Sequence, residues 1–104
     1  MLPGERPREL GAFELRFEPC AALISVVRRF VTDFYREVLH DEETVSEIAL
    51  ATHELLENTV KYSTDGRARL SISVGAKPDQ IEVRVRTCNE ARPSDVAELE
   101  RKFD

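Results

Sequence analysis

A chain of 104 residues has room for one hydrophobic core and not for two, so every motif in it must share a single domain. At 41% hydrophobic and 34% charged residues it is globular in composition, and a net charge of −5 argues against a nucleic-acid partner, whose phosphates call for Lys and Arg. The longest unbroken apolar stretch, Cys20 to Ile24, falls far short of the roughly 20 residues that a membrane-spanning helix requires.

The first dozen residues, MLPGERPRELGA, read as a flexible arm without the apolar run of a signal peptide, which leaves 13–104 as the folded domain and implies a cytoplasmic protein with no membrane contact. Phe13, Leu15 and Phe17 then alternate with Glu14, Arg16 and Glu18, the period of a half-buried strand that Pro19 ends. From Cys20 to Leu39 the period changes. Leu23, Val27, Phe30, Phe34 and Val38 recur every three or four residues and predict a first helix with Arg28, Arg29 and Arg36 on its exposed side. If that stripe faces the sheet, Phe30→Ala is expected to cost about 3 to 5 kcal/mol.

Asp41, Glu42 and Glu43 suit the positive end of a second helix, with Asp41 as its cap. Its apolar stripe is Val45, Ile48, Thr52, Leu55, Thr59 and Tyr62, flanked by Ala49 and Leu56, and Ser63 to Gly66 supply the stop. Two alternating segments follow, Ala68 to Val74 and Ile81 to Val85, with Gly75, Lys77, Pro78 and Asp79 marking the hairpin loop between them. After Cys88 the run NEARPSDV reads as loop, and Val96, Leu99 and Phe103 are spaced for a short final helix capped by Ser94 or Asp95. The expected fold is a two-layer α+β sandwich, with helices on one face of a mostly antiparallel sheet. Cys20, Cys88, His40 and His53 have no metal-ligand spacing, so the cysteines read as ordinary thiols.

One stretch carries chemistry. In ATHELLENTVKYS, Glu54 and Asn58 stand four residues apart with Lys61 near the next turn, on the helix face opposite the apolar stripe. An Asn oxygen is a neutral hard ligand for a magnesium ion that already holds waters and nucleotide phosphates, and a carboxylate one turn earlier can orient or deprotonate an attacking hydroxyl. The same row also describes an ordinary solvated helix face, where Glu54, Glu57 and Lys61 give weak helix-stabilising pairs.

The run HELLENTVKY resembles the N box of the histidine-kinase-like (Bergerat) ATPases, and the order of elements around it is similar to that of their anti-sigma-factor serine kinase branch. The resemblance covers Phe13 to about Val85. It implies that Glu54 is the general base, that Asn58 is the magnesium ligand, and that Lys61 and Tyr62 are the basic and aromatic pair closing the box. The same branch implies ATP and Mg as cofactors, a protein partner such as a signalling regulator or a sigma or anti-anti-sigma-like factor, and a homodimer.

The departures from the family are equally specific. Its strand after the hairpin ends in Asp-x-Gly-x-Gly, where the Asp accepts from adenine, and a second glycine-rich segment offers backbone amides to phosphate. Here the corresponding exit is VRVRTCNEARPSD, no glycine follows Gly75, and Asn89 is the nearest replacement for the adenine-binding Asp. The histidine-kinase-like fold is therefore expected to be incomplete, without the lid. The expected function is a regulatory module that binds a protein partner and has weak or no ATP affinity as an isolated chain; the alternative is an ATP- and Mg-dependent serine/threonine protein kinase of the anti-sigma-factor type.

Overall fold

The computed structural model describes residues 8–61, 67–90 and 92–104, with side chains described except at 60, 61 and 92–95. In chain order the elements are β1 (Arg8–Phe17), α1 (Ala21–Leu39), α2 (Glu42–Lys61), β2 (Ala68–Lys77), β3 (Gln80–Asn89) and β4 (Arg92–Phe103). The four strands form one antiparallel sheet in the order β1-β2-β3-β4, with α1 and α2 packed on one face. This is the two-layer α+β sandwich that the alternating segments and helical stripes predict. No helix among the described residues is long and apolar enough to cross a membrane.

Strand alternation sorts the sheet's two faces. Phe17, Leu70, Ile72, Val74, Val83 and Val85 are buried under the helices. Glu14 and Arg16, Ser71 and Ser73, Arg84 and Arg86, and Glu98 and Glu100 lie on the other face. That face is held by cross-strand ion pairs, Glu14–Arg69 at 3.2 Å, Arg84–Glu100 at 3.5 Å and Arg86–Glu98 at 3.3 Å. Such pairs suit a solvated surface and each adds little.

Three expectations about the elements are corrected. Residues 8–12 are strand, not arm: β1 starts at Arg8 and pairs with Ala76, with a bulge between Glu9 and Gly11. Gly11 sits close under α1, where an added Cβ would come within 3.1 Å of the Phe34 ring and 3.3 Å of Val38. The hairpin loop contracts to Pro78 and Asp79, since Lys77 already pairs with Gln80, so Gly75 and Lys77 belong to β2. The final helix is a fourth strand. Leu99 and Phe103 fit helical spacing, but with Ala97 they also fit alternation, and β3 decides between the two periods. Its outer backbone groups, beside the fully buried Val83 and Val85, need partners, and β4 supplies them.

Helix α1 is also rotated from its expected setting. Its buried residues are Ile24, Val27, Val31 and Tyr35, whereas Leu23 is 39% exposed and Phe30 46% exposed. Ile24, Val31 and Tyr35 each stand one residue beyond Leu23, Phe30 and Phe34. The cause is α2: α1 packs against its neighbour as well as the sheet, and buried Tyr35 reaches Thr52 of α2 at 2.8 Å. Thr52 spends its own hydroxyl hydrogen on the Ile48 carbonyl at 2.8 Å, so the tyrosine is the donor. Burial pushes the Tyr35 phenol well above its ordinary range. The aromatic side of α1 is left at the sheet margin, where Phe30 and Phe34 meet Phe13 edge-on at centroid distances of 4.9 and 4.7 Å.

Candidate functional site on helix α2

Helix α2 follows its sequence pattern closely. Val45, Ile48, Ala49, Thr52 and Leu56 are buried, and Leu55 packs against them at the core's margin. Asp41 caps the helix, accepting from the Thr44 amide at 3.2 Å and from the Thr44 hydroxyl. The buried stripe fixes the helix about its axis and thereby turns Glu54 and Asn58 outward. Both are exposed, one turn apart on one face, and neither has a hydrogen bond or ion pair with a described residue.

Near the end of α2, Thr59 donates to the Leu55 carbonyl at 3.1 Å, so its contact with Thr87 of β3 has Thr87 as donor. This tie brings the residue next to Asn58 against the end of β3. Asn89 follows two residues later on the same face of β3 as Thr87 and is 5% exposed. It is a hydrogen-bonded strand residue, opposite Ala68 on one side and Arg92 on the other, and not the loop residue the sequence suggests. The structure thus sets exposed Asn58 next to the helix residue that meets β3, with Glu54 one turn earlier and buried Asn89 two residues beyond the point of contact. Lys61 is the last residue of α2 and its side chain lies outside the described residues, as does Tyr62 entirely.

Arg28 and His53 are neighbours of this face that the sequence reading did not single out. Arg28, expected to be freely exposed, is half-buried and forms an ion pair with Glu57, on the turn of α2 between Glu54 and Asn58. Burial holds the His53 imidazole below its ordinary range against the pull of the Arg28 carbonyl, and the Arg28 charge lowers it further. Both residues line a cleft between the helices with Arg29, Thr32, Asp33 and Arg36. Its charges are largely balanced, since Arg36 faces Asp33 at 3.8 Å and Glu42 at 3.6 Å. No sequence spacing could have paired Arg28 with Glu57, because the contact depends on how α1 rotates.

The segment beyond β3 differs more from the pattern of a nucleotide loop. Glu90 donates its amide to the Arg67 carbonyl at 2.8 Å, and its carboxylate is held by Arg16 and by Arg69 at 3.2 Å. The hydrogen bond from Arg16 above all, helped by its charge and by Arg69, keeps that carboxyl below its usual range against the opposing effect of desolvation. Pro93 lies in β4 at the sheet edge, where a missing amide hydrogen is tolerated.

The sequence profile of the histidine kinase-like ATPase domain family matches residues 17–102, which span both helices, the box on α2 and the sheet from β2 into β4. The chain belongs to that family. No curated protein matches it at the level of the whole sequence. Membership gives Glu54 and Asn58 a structural context in which a nucleotide-bound magnesium ion is sensible. Among the described residues no cluster of three His, Cys, Asp or Glu could hold a metal alone. A neutral oxygen on Asn58 and a carboxylate on Glu54, neither with a partner among the described residues, do fit an ion most of whose ligands are water and phosphate.

Proposed function

We propose that this histidine kinase-like domain is a regulatory module related to the anti-sigma-factor kinases, acting through a protein partner while its nucleotide site has degenerated. The observation that carries this reading is β4. Adenine and phosphate recognition in such a domain needs glycine-permitted backbone approach and converging free amides after the third strand. In this chain that stretch contains no glycine, and Arg92 and Val96 to Phe103 are paired with β3 in a strand. The amides of an extended edge strand point alternately toward its neighbour and away from it, so they do not converge on one phosphate oxygen. We further place the protein in the cytoplasm of a bacterial cell, with a signalling regulator of the sigma or anti-anti-sigma type as partner.

The exposed Glu54 and Asn58 favour a second reading, an ATP- and Mg-dependent serine/threonine protein kinase. In that case the Asn58 side-chain oxygen would hold the magnesium ion, and the Glu54 carboxylate would take the proton from the attacking hydroxyl of the partner. Bound nucleotide would supply the phosphoryl group. Titration calorimetry with ATP and magnesium separates the two. The regulatory reading expects binding weaker than roughly 1 mM, or about −4 kcal/mol, and indifferent to Asn58→Ala. Micromolar binding abolished by Asn58→Ala would establish the kinase instead.

A further inference from the structure

The outer edge of β4 is open in two senses. The strand spans twelve residues and pairs with β3 alone, and among the described residues nothing pairs with its other side, so every second amide and carbonyl along it faces away from the sheet. The helix side of this edge is also incompletely covered: α2 packs over β3 and β4, yet Leu99, Phe103 and Leu55 of α2 remain only partly buried at the core's margin. Charge marks the rest of the strand. Glu98 and Glu100 stand exposed on the open face, held from the β3 side by Arg86 and Arg84, and Lys102 lies 3.7 Å from Glu100. Arg101 alternates to the helix side and is exposed.

We propose that this edge accepts an extended segment of a partner protein as an added antiparallel strand, with basic residues opposite Glu98 and Glu100, acidic residues opposite Arg101 and Lys102, and apolar residues beside Leu99 and Phe103. Main-chain hydrogen bonds to the outward amides and carbonyls supply affinity, and the cross-strand pairs select the sequence. The apolar residues complete the cover over Leu99 and Phe103, which the chain's own core leaves half open. A second copy of β4 fits poorly. Two-fold pairing about Leu99 sets Glu98 against Glu100, and pairing about Glu100 or Arg101 sets that residue against itself, so each of these registers carries a like-charged pair. The edge is a surface for the protein partner proposed above and rests on that reading.

Fluorescence anisotropy of the full chain with two labelled octapeptides tests this. VEEKVKVT, laid antiparallel from Phe103 to Val96, places its lysines opposite Glu100 and Glu98 and its glutamates opposite Lys102 and Arg101; VKKEVEVT has the same composition and net charge and reverses all four pairs. The first should bind at least about tenfold more tightly than the second. The variant R101E/K102E leaves the ion pairs of Arg84 and Arg86 in place and should erase that preference. Should that variant fail to fold, hydrogen exchange on the parent chain decides: VEEKVKVT should protect alternate amides of β4 and none of β1. Equal binding of the two peptides, no binding of either, or a preference that survives R101E/K102E overturns the proposal, and so does protection at β1 in place of β4. A chain of double mass whose β4 amides are already protected without peptide assigns the edge to a second copy and overturns it as well. None of these outcomes bears on ATP affinity, so the calorimetry above judges the regulatory reading by itself.

Discussion

The two helices lie side by side on one sheet, yet they divide their surfaces in opposite ways. Helix α2 buries nearly all of its apolar stripe and presents polar Glu54 and Asn58, which have no partner among the described residues. Helix α1 buries Ile24, Val27, Val31 and Tyr35 and leaves Leu23, Val26 and Phe30 in the open. The ends differ as well. Asp41 and two further acidic residues open α2, whereas α1 starts at Cys20 with no side-chain cap and no acidic residue in its first turn. An exposed polar row is compatible with an ion or a small ligand, and an exposed apolar stripe with another protein surface.

The largest expected effect tests the buried side of α2. Ile48 is fully buried between the helix and the sheet, so Ile48→Ala should cost about 2 to 5 kcal/mol in chemical denaturation. Tyr35→Phe should come next. It removes the donor to Thr52 while leaving that hydroxyl bonded to Ile48, and about 1 to 3 kcal/mol is expected for the buried contact. Phe30→Ala should cost only about 1 kcal/mol, the worth of an edge-on aromatic pair at a half-exposed site, and not the value anticipated from its helical spacing. Asn58→Ala should change stability by less than about 0.5 kcal/mol. Loss of several kcal/mol there would mean that Asn58 supports the fold rather than a ligand.

These contrasts also show what the sequence could carry. The stripe of α2 was legible because one side of that helix faces the core and the other faces water, so period and burial agree. For α1 the period alone admits two neighbouring settings that share Val27, and a contact between Tyr35 and Thr52, which no local pattern reveals, selects one. Strand β4 fails as a helix for a related reason. Leu99 and Phe103 satisfy both periods, and the open edge of β3, a partner distant in sequence, settles the matter. That Glu54 and Asn58 share one exposed face was legible because their spacing lies within one helix. Asn89 was named, but its burial follows from strands on both sides of it.

The smallest expected effect sharpens the difference between the helix starts, and it is read from pH. Hydrogen bonds from the Thr44 hydroxyl and then its amide, with a lesser one from the Glu43 amide, hold the Asp41 carboxyl below its ordinary range despite some opposing desolvation. A carboxyl whose folded-state pKa is depressed contributes stability above its unfolded-state value, about 4, and that contribution is lost as pH falls through the folded-state value. Helix α1 has no such group at its start, so this acid sensitivity belongs to α2, with a separate contribution from Glu90 through Arg16 and Arg69. Asp41→Asn keeps a side-chain oxygen to accept from Thr44 but cannot titrate. The unfolding midpoint of that variant should stay close to the parent at neutral pH and fall less steeply in acid. Glu90→Gln added to it should flatten the acid limb further, because the two carboxyls sit at separate places and share no partner. Parallel acid limbs for parent and Asp41→Asn would show that the cap contributes nothing through its charge and that α2, like α1, begins without electrostatic help.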